Sequence, residues 1–384
     1  MAYQVLARRY RSKGFDEVVG QEPIAKTLKT AIATNRVAHA YLFTGTRGVG
    51  KTSMARIFAK ALNAVDDKGK ESPEIAEAIM KGQDTDTIEI DAASNNSVDE
   101  ARNLIANAAY RPMRGRKKVY IIDEVHMLTT QAFNALLKTM EEPPEHVVFI
   151  LCTTETHKVP ATIQSRCQRF DFRNIPTGDI AGHLKEVIKT EGLTAEPELI
   201  HMVARLGNGS MRDALSLLDR VIASGEKKLT AKLLEDLLGL PDRKLVDNLV
   251  DAIAAGDAPA SLAAADVLLK RAASPEQLLG TLAERFRDLL VLGACGADTE
   301  LVEVSEEVRK ELFKSAQRFD AAGLTHLIAI CDAVARSVRL SPSPRAMLDA
   351  AIVRLALSEK MADVAALLSG AGNGHSAARA AGKK

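Results

Sequence analysis

The period of the apolar positions changes along the chain, and the change divides it. From Tyr41 to about Phe172, short runs rich in β-branched and aromatic residues alternate with longer helical patterns. The runs are AYLFTG (40–45), DTIEID (86–91), KKVYIID (117–123) and VVFILCTT (147–154). Each ends in Gly, Asp or Thr, and strands alternating with helices predict a mostly parallel sheet covered on both faces. In such a sheet ligands gather beyond the carboxyl ends of the strands, where the conspicuous polar residues of this segment stand.

After Ile175-Pro176-Thr177-Gly178 the strand runs cease and helical spacing takes over in DIAGHLKEVIKTEG, PELIHMVARLG and MRDALSLLDRVIASG. This predicts a sheet domain over 1–177 and a small helical domain over 178–242. A turn signal at Gly239-Leu240-Pro241 precedes LVDNLVDAIAAG, APASLAAADVLLKRA and PEQLLGTLAERFRDLLVLGA, further amphipathic helices that predict an all-helical third domain over 243–368. The fold class expected is α/β plus all-α. Residues 369–384 are small, polar and basic, and are expected to be disordered.

Length and composition narrow the choice of function. The 384 residues allow two to three domains at roughly 100–200 residues each. No apolar run is read as reaching the roughly 18–20 residues needed to cross a bilayer, so no membrane partner is expected. The basic amino terminus lacks the apolar core and cleavage site of a secretory signal, and a cytoplasmic location is expected. Cys152, Cys167, Cys295 and Cys331 match neither a disulfide framework nor a zinc set, and are expected reduced, in or near the core. A net charge of +1 excludes a globally basic nucleic-acid binder, and the absence of tryptophan argues against aromatic stacking platforms for bases.

Chemistry enters with Gly45-Thr46-Arg47-Gly48-Val49-Gly50-Lys51-Thr52, which fits G-x-x-x-x-G-K-[ST] between a predicted strand and a predicted helix. Glycines let backbone N–H groups wrap a phosphate, Lys51 neutralises its oxygens, and the Thr52 hydroxyl ligates Mg²⁺. The strand Val119–Ile122 ends in Asp123 and Glu124. The first would hold Mg²⁺ through its water shell, and the second would polarise an attacking water, so the pair points to hydrolysis. His126 is read as structural.

VVGQE (18–22), the phosphate loop, IIDEVHML, NALLKTMEEPP, SRC (165–167) and GSMRDALSLLD (209–219) follow one another in an order and spacing that resemble the AAA+ clamp-loader family, with wording closest to bacterial gamma/tau subunits. The resemblance covers about the first 240 residues. It implies a RecA-like P-loop domain with a helical lid and a helical collar, and an ATPase that loads a sliding clamp onto DNA. Thr154 resembles sensor 1, Arg166 the arginine finger delivered to a neighbouring subunit, and Arg212 sensor 2. Residues 6–20 resemble the segment that packs on the adenine, with Arg11 and Val19 as contacts, although Ser12 stands where the family usually has proline.

The same resemblance implies partners: delta and delta-prime subunits, further gamma/tau copies, a beta sliding clamp and primer-template DNA at the nucleoid. Asn96, Ser97 and Lys138 are candidate DNA contacts, although the family often has basic residues at 95 and 97, where this chain has Asn and Ser. The basic run Arg114, Arg116, Lys117 and Lys118 reads as a solvated loop. Bacterial gamma/tau subunits usually carry a four-cysteine zinc module between positions 63 and 87; here that stretch has no cysteine or histidine, so no zinc is expected, and Ser72-Pro73-Glu74 predicts a helix start instead. A non-hydrolysing scaffold subunit and a small subunit of an archaeal or eukaryotic-type loader are the alternative readings.

Overall fold

The computed structural model describes residues 3–64, 71–94, 106–239, 241–271, 274–299, 301, 302, 304 and 306–358. Asn96, Ser97 and the 369–384 tail lie outside the described residues. The chain divides into two compact units, one of Met1–Thr194 with Val203–Glu226, the other of Ala195–Met202 with Lys227–Lys384.

The first unit is built on a five-stranded sheet: β1 (Ala40–Thr44), β2 (Thr87–Asp91), β3 (Lys118–Asp123), β4 (Val147–Thr153) and β5 (Gln168–Asp171), in the order β2-β3-β4-β1-β5, every pairing parallel. The four strands expected from the apolar runs are present, and β5 is an edge strand that the reading missed. Its QRFD is largely exposed, so it lacks the apolar run that marks a central strand.

Alternation within the central strands covers both faces of the sheet. Tyr41 and Phe43 of β1 pack with Val119, Ile121, Val148 and Ile150 on one side, where Met54, Phe58 and Leu62 join them. Ala40 and Leu42 face the other side with Tyr120, Ile122, Phe149 and Leu151, against Phe133, Leu136 and Met140. Each of these large side chains contributes about 1.5–3 kcal/mol on burial.

The unit's helices follow in chain order: α1 (Leu6–Arg9), α2 (Glu22–Ala33), α3 (Lys51–Asn63), α4 (Pro73–Lys81), α5 (Thr130–Glu141), α6 (Ala161–Gln164) and α7 (Thr177–Thr190). Helix α8 (Pro197–Leu206) is followed by α9 (Met211–Ile222). The helix expected at Ser72-Pro73 is α4; Ser72 is its N-cap residue, but its side chain accepts no capping hydrogen bond.

The second unit is helical: α10 (Ala231–Leu238), α11 (Arg243–Ala254), α12 (Ala258–Lys270), α13 (Pro275–Cys295), α14 (Glu306–Ala316), α15 (Ala321–Val338) and α16 (Pro344–Ala356). Ser274 and Gln277 close a capping box at the start of α13, with Pro275 at the first helical position. Leu278, Leu282, Phe286 and Leu289 of α13 then line one apolar core.

Three expectations need correction. Helix α15 is 18 residues long with a mean hydropathy of 1.3, long and apolar enough to cross a bilayer. Its Leu324, Leu327, Ile330 and Cys331 are buried in the helical core, which accounts for that composition. Cys152 and Cys331 are buried, as expected of reduced core thiols, but Cys295 is exposed at the end of α13. Lys118 is buried at the start of β3, so the basic run is not solvated throughout.

Candidate active site

Strand β1 delivers the chain into the phosphate loop, and the loop's geometry depends on its glycines. Gly45 stands at φ +141°, with a virtual Cβ 2.4 Å from the Phe172 carbonyl; Gly48 stands at φ +77°, and a Cβ there would lie 1.8 Å from Ser210 Oγ. Gly50, at φ +101°, is the N-cap of α3, so the loop turns directly into a helix amino terminus. Lys51 folds back over the loop and its Nζ donates to the Gly45 and Thr46 carbonyls, each at 2.8 Å. Burial pushes its ammonium below its ordinary value.

The acidic partners come from β3, in the same sheet. Thr52 Oγ1 donates to Asp123 Oδ2 at 2.7 Å. Burial raises the Asp123 carboxyl, while the bond from Thr52 lowers it. Glu124 follows in a left-handed conformation, φ +47° and ψ +44°, uncommon for a residue with a side chain. Thr154, just past β4, donates to Glu124 Oε2 at 3.1 Å. The His126 side chain is 6% exposed, its Nδ1 3.0 Å from Thr153 Oγ1 and 3.5 Å from Glu124 Oε2.

The lid helix closes the loop from above. Ser210 caps α9 by accepting from the Asp213 N–H at 3.1 Å, and its hydroxyl sits against Gly48. Arg212, in the first turn of α9, borders the resulting cavity of about 460 Å³. The amino-terminal segment forms a further wall with Arg11 and Val19. Ser12 ties that segment into a turn by donating to the Glu17 carbonyl at 3.1 Å. Burial depresses the Arg11 guanidinium, and neighbouring Arg56 and Arg212 act in the same direction against Glu89 and Asp123.

Seven lysine and arginine side chains line the cavity against the carboxylates of Asp123 and Glu124, which suits a polyanion. Ile175, Met211 and Leu215 give it an apolar side. The residues fit a nucleotide with Mg²⁺: Gly45 and Gly48 leave no room for a Cβ, the buried Lys51 ammonium donates to the Gly45 and Thr46 carbonyls, and Thr52 and Asp123 present adjacent hard oxygens.

The structure therefore brings together Arg11, Val19, Arg47, Gly48, Val49, Gly50, Lys51, Thr52, Asp123, Glu124 and Arg212 around one cavity. Gly45 and Thr46 hold Lys51 from behind, and Thr154 acts on Glu124. Arg166 is not among the lining residues; its guanidinium bonds to Glu141 at 2.5 Å and to the Thr162 carbonyl at 2.7 Å. Lys138 is exposed on α5. The sequence reading missed Arg56, Lys81, Ile175 and Leu215. Two had a signal: Arg56 and Leu215 lie one helical turn beyond Thr52 and Met211 on the same faces.

Comparison with known proteins places this site in a family. Residues 20–176 match the family described as DNA polymerase III, delta subunit. Residues 179–227 match the DNA polymerase III clamp loader subunit, ATPase lid domain, and residues 229–370 match DNA polymerase III subunits gamma and tau domain III. DNA polymerase III subunit tau of Bacillus subtilis (strain 168) is 41% identical over an alignment of 371 positions that covers 92% of this chain and 63% of that protein. The tau subunit of Escherichia coli (strain K12) is 46% identical over 66% of this chain and 40% of its own length. The chain thus spans less than two thirds of these relatives. DNA polymerase III subunit gamma of Buchnera aphidicola subsp. Schizaphis graminum is 42% identical, with 64% of this chain and 68% of that protein aligned. The chain belongs to the family of bacterial DNA polymerase III gamma/tau subunits.

Proposed function

We propose that this chain is an ATP-hydrolysing motor subunit of a DNA polymerase III clamp loader, which loads the beta sliding clamp onto primed DNA. The observation that carries the reading is the cation-lined cavity at the carboxyl ends of β1 and β3, where Lys51, Thr52, Asp123 and Glu124 converge.

The residues divide the work of phosphoryl transfer. The N–H groups of 45–52 and the Lys51 ammonium hold the phosphates, exchanging the loop carbonyls for phosphate oxygens. Thr52 and Asp123 would hold Mg²⁺, which would supply charge neutralisation to the phosphates. Glu124, steadied by Thr154, takes a proton from the attacking water. Arg212 brings the lid onto the phosphates, so that occupancy is felt by α9. Arg11 and Val19 border the base side. Arg166 acts in trans on nucleotide held by a neighbouring subunit; its place outside the chain's own cavity supports that role.

The partners follow from the family: delta, delta-prime, further gamma/tau copies, the beta clamp and primer-template DNA, in the cytoplasm at the nucleoid. We assign 1–177 to the ATPase domain, 178–242 to the lid and 243–368 to the collar; the family matches at 20–176, 179–227 and 229–370 support this order. Asn96, Ser97 and Lys138 are proposed DNA contacts.

The test is ATP turnover by the chain reconstituted with delta, delta-prime, clamp and primed DNA, beside Lys51→Ala. Clamp- and DNA-stimulated hydrolysis lost in Lys51→Ala is expected. Equal turnover in the two proteins would leave a scaffold subunit instead.

A further inference from the structure

Helix α4 occupies the stretch without cysteine, and its end reaches the nucleotide cavity: Lys81, the last helical residue, is among the lining side chains. That end is held firmly. Gly82, at φ +70°, stops the helix, and Arg56 of α3 donates through Nη1 to the Met80 carbonyl at 2.8 Å. Arg56 also makes a two-pronged pair with Glu89, at 2.6 and 2.8 Å. The backbone of Lys81 is thereby fixed beside α3, one turn beyond Thr52, while its four-carbon stem is free to swing.

The Lys81 head is weakly committed. Its Nζ lies 2.6 Å from Glu77 Oε1, with 56% of the lysine side chain and 66% of the glutamate exposed. An exposed pair of this spacing is weak, so a polyphosphate outcompetes the carboxylate readily. Arg56, by contrast, is 16% exposed and is held by Glu89 and the Met80 carbonyl.

We propose that Lys81 is a further nucleotide-binding residue, paired with Glu77 in this structure and passed to a phosphate when nucleotide binds. The proposal rests on the reading of the cavity as an ATP site. It gives the cysteine-free helix α4 a role in setting nucleotide affinity.

Calorimetric titration of ATP and ADP with Mg²⁺ into the full chain tests this, using wild type, Lys81→Ala, Glu77→Ala and Lys51→Ala. Lys81→Ala is expected to weaken both nucleotides about two- to fivefold, and Glu77→Ala to tighten them by a similar factor. Both effects should fade at about 0.5 M salt, where exposed charges are screened. If the pair merely braces α4, the two variants lose the same contact and shift affinity in the same direction; that result, or no shift in Lys81→Ala, overturns the proposal. Wild-type protein that binds ATP no better than Lys51→Ala would overturn the ATP-site reading itself, a failure distinct from the first.

Discussion

Thr154 Oγ1 donates to Glu124 Oε2 at 3.1 Å, joining the ends of two adjacent strands, β3 and β4. Glu124 stands in the left-handed region, a conformation costing about 1–3 kcal/mol that persists only where the surroundings enforce it. The carboxylate is therefore aimed by its neighbours. Thr154→Val keeps the side-chain shape and deletes the donor. Single-turnover hydrolysis is expected to fall about tenfold or more, with ATP affinity unchanged. Weakened binding at normal turnover would assign Thr154 to nucleotide contact instead.

Arg166 makes its bonds with Glu141 and the Thr162 carbonyl, outside the cavity of its own chain. Arg166→Ala should leave ATP affinity of the isolated chain intact while lowering hydrolysis by the assembled loader about 10³-fold, the range for an arginine finger. Arg166→Lys should restore little, because an ammonium lacks the planar fork. Full turnover by the assembled Arg166→Ala complex would exclude a role in trans.

Gly48 packs against the capping hydroxyl of the lid helix, and its N–H and carbonyl lie in the phosphate loop. A Cβ in Gly48→Ala meets Ser210 Oγ at 1.8 Å on a backbone at φ +77°. The variant is expected to lose ATP binding by at least about tenfold, measured by calorimetry, and Gly48→Ala with Ser210→Ala should recover only the part due to the clash. Recovery to wild-type affinity would mean that backbone strain is unimportant there.

In the helical unit, Glu235 of α10 has its carboxyl raised to about 7 by burial, with Asp242, Glu198 and Asp236 adding repulsion and the Arg243 N–H opposing it. A raised folded value means that the folded protein holds a proton the unfolded chain releases near pH 4.5. That stabilisation is full below pH 4.5 and is lost as pH rises through about 7. Urea midpoints between pH 5 and 8 should fall with rising pH in wild type and fall less in Glu235→Gln. Identical slopes in both would remove Glu235 as the source.

Contiguous sequence determined whatever depends on neighbours a few residues apart. Buried strands β1, β3 and β4 are legible because a strand covered on both faces must be apolar throughout, and the phosphate loop because its glycines and lysine act within one turn. Edge strand β5 was not legible, since exposed Gln168, Arg169 and Asp171 carry no such pattern. The apolar length of α15 reflected a core position, which composition cannot distinguish from a membrane one.

Only the tertiary structure decided which distant residues meet. The strand order β2-β3-β4-β1-β5 sets Asp123 beside Thr52 and Thr154 beside Glu124, although 71 and 30 residues separate them. Packing of α4 on α3 turns Lys81 toward the cavity, and packing of α9 over Gly48 does the same for Arg212. Hydrophobic periodicity states that a face is buried but not against what, because burial is non-directional; the choice of neighbour belongs to the assembled core.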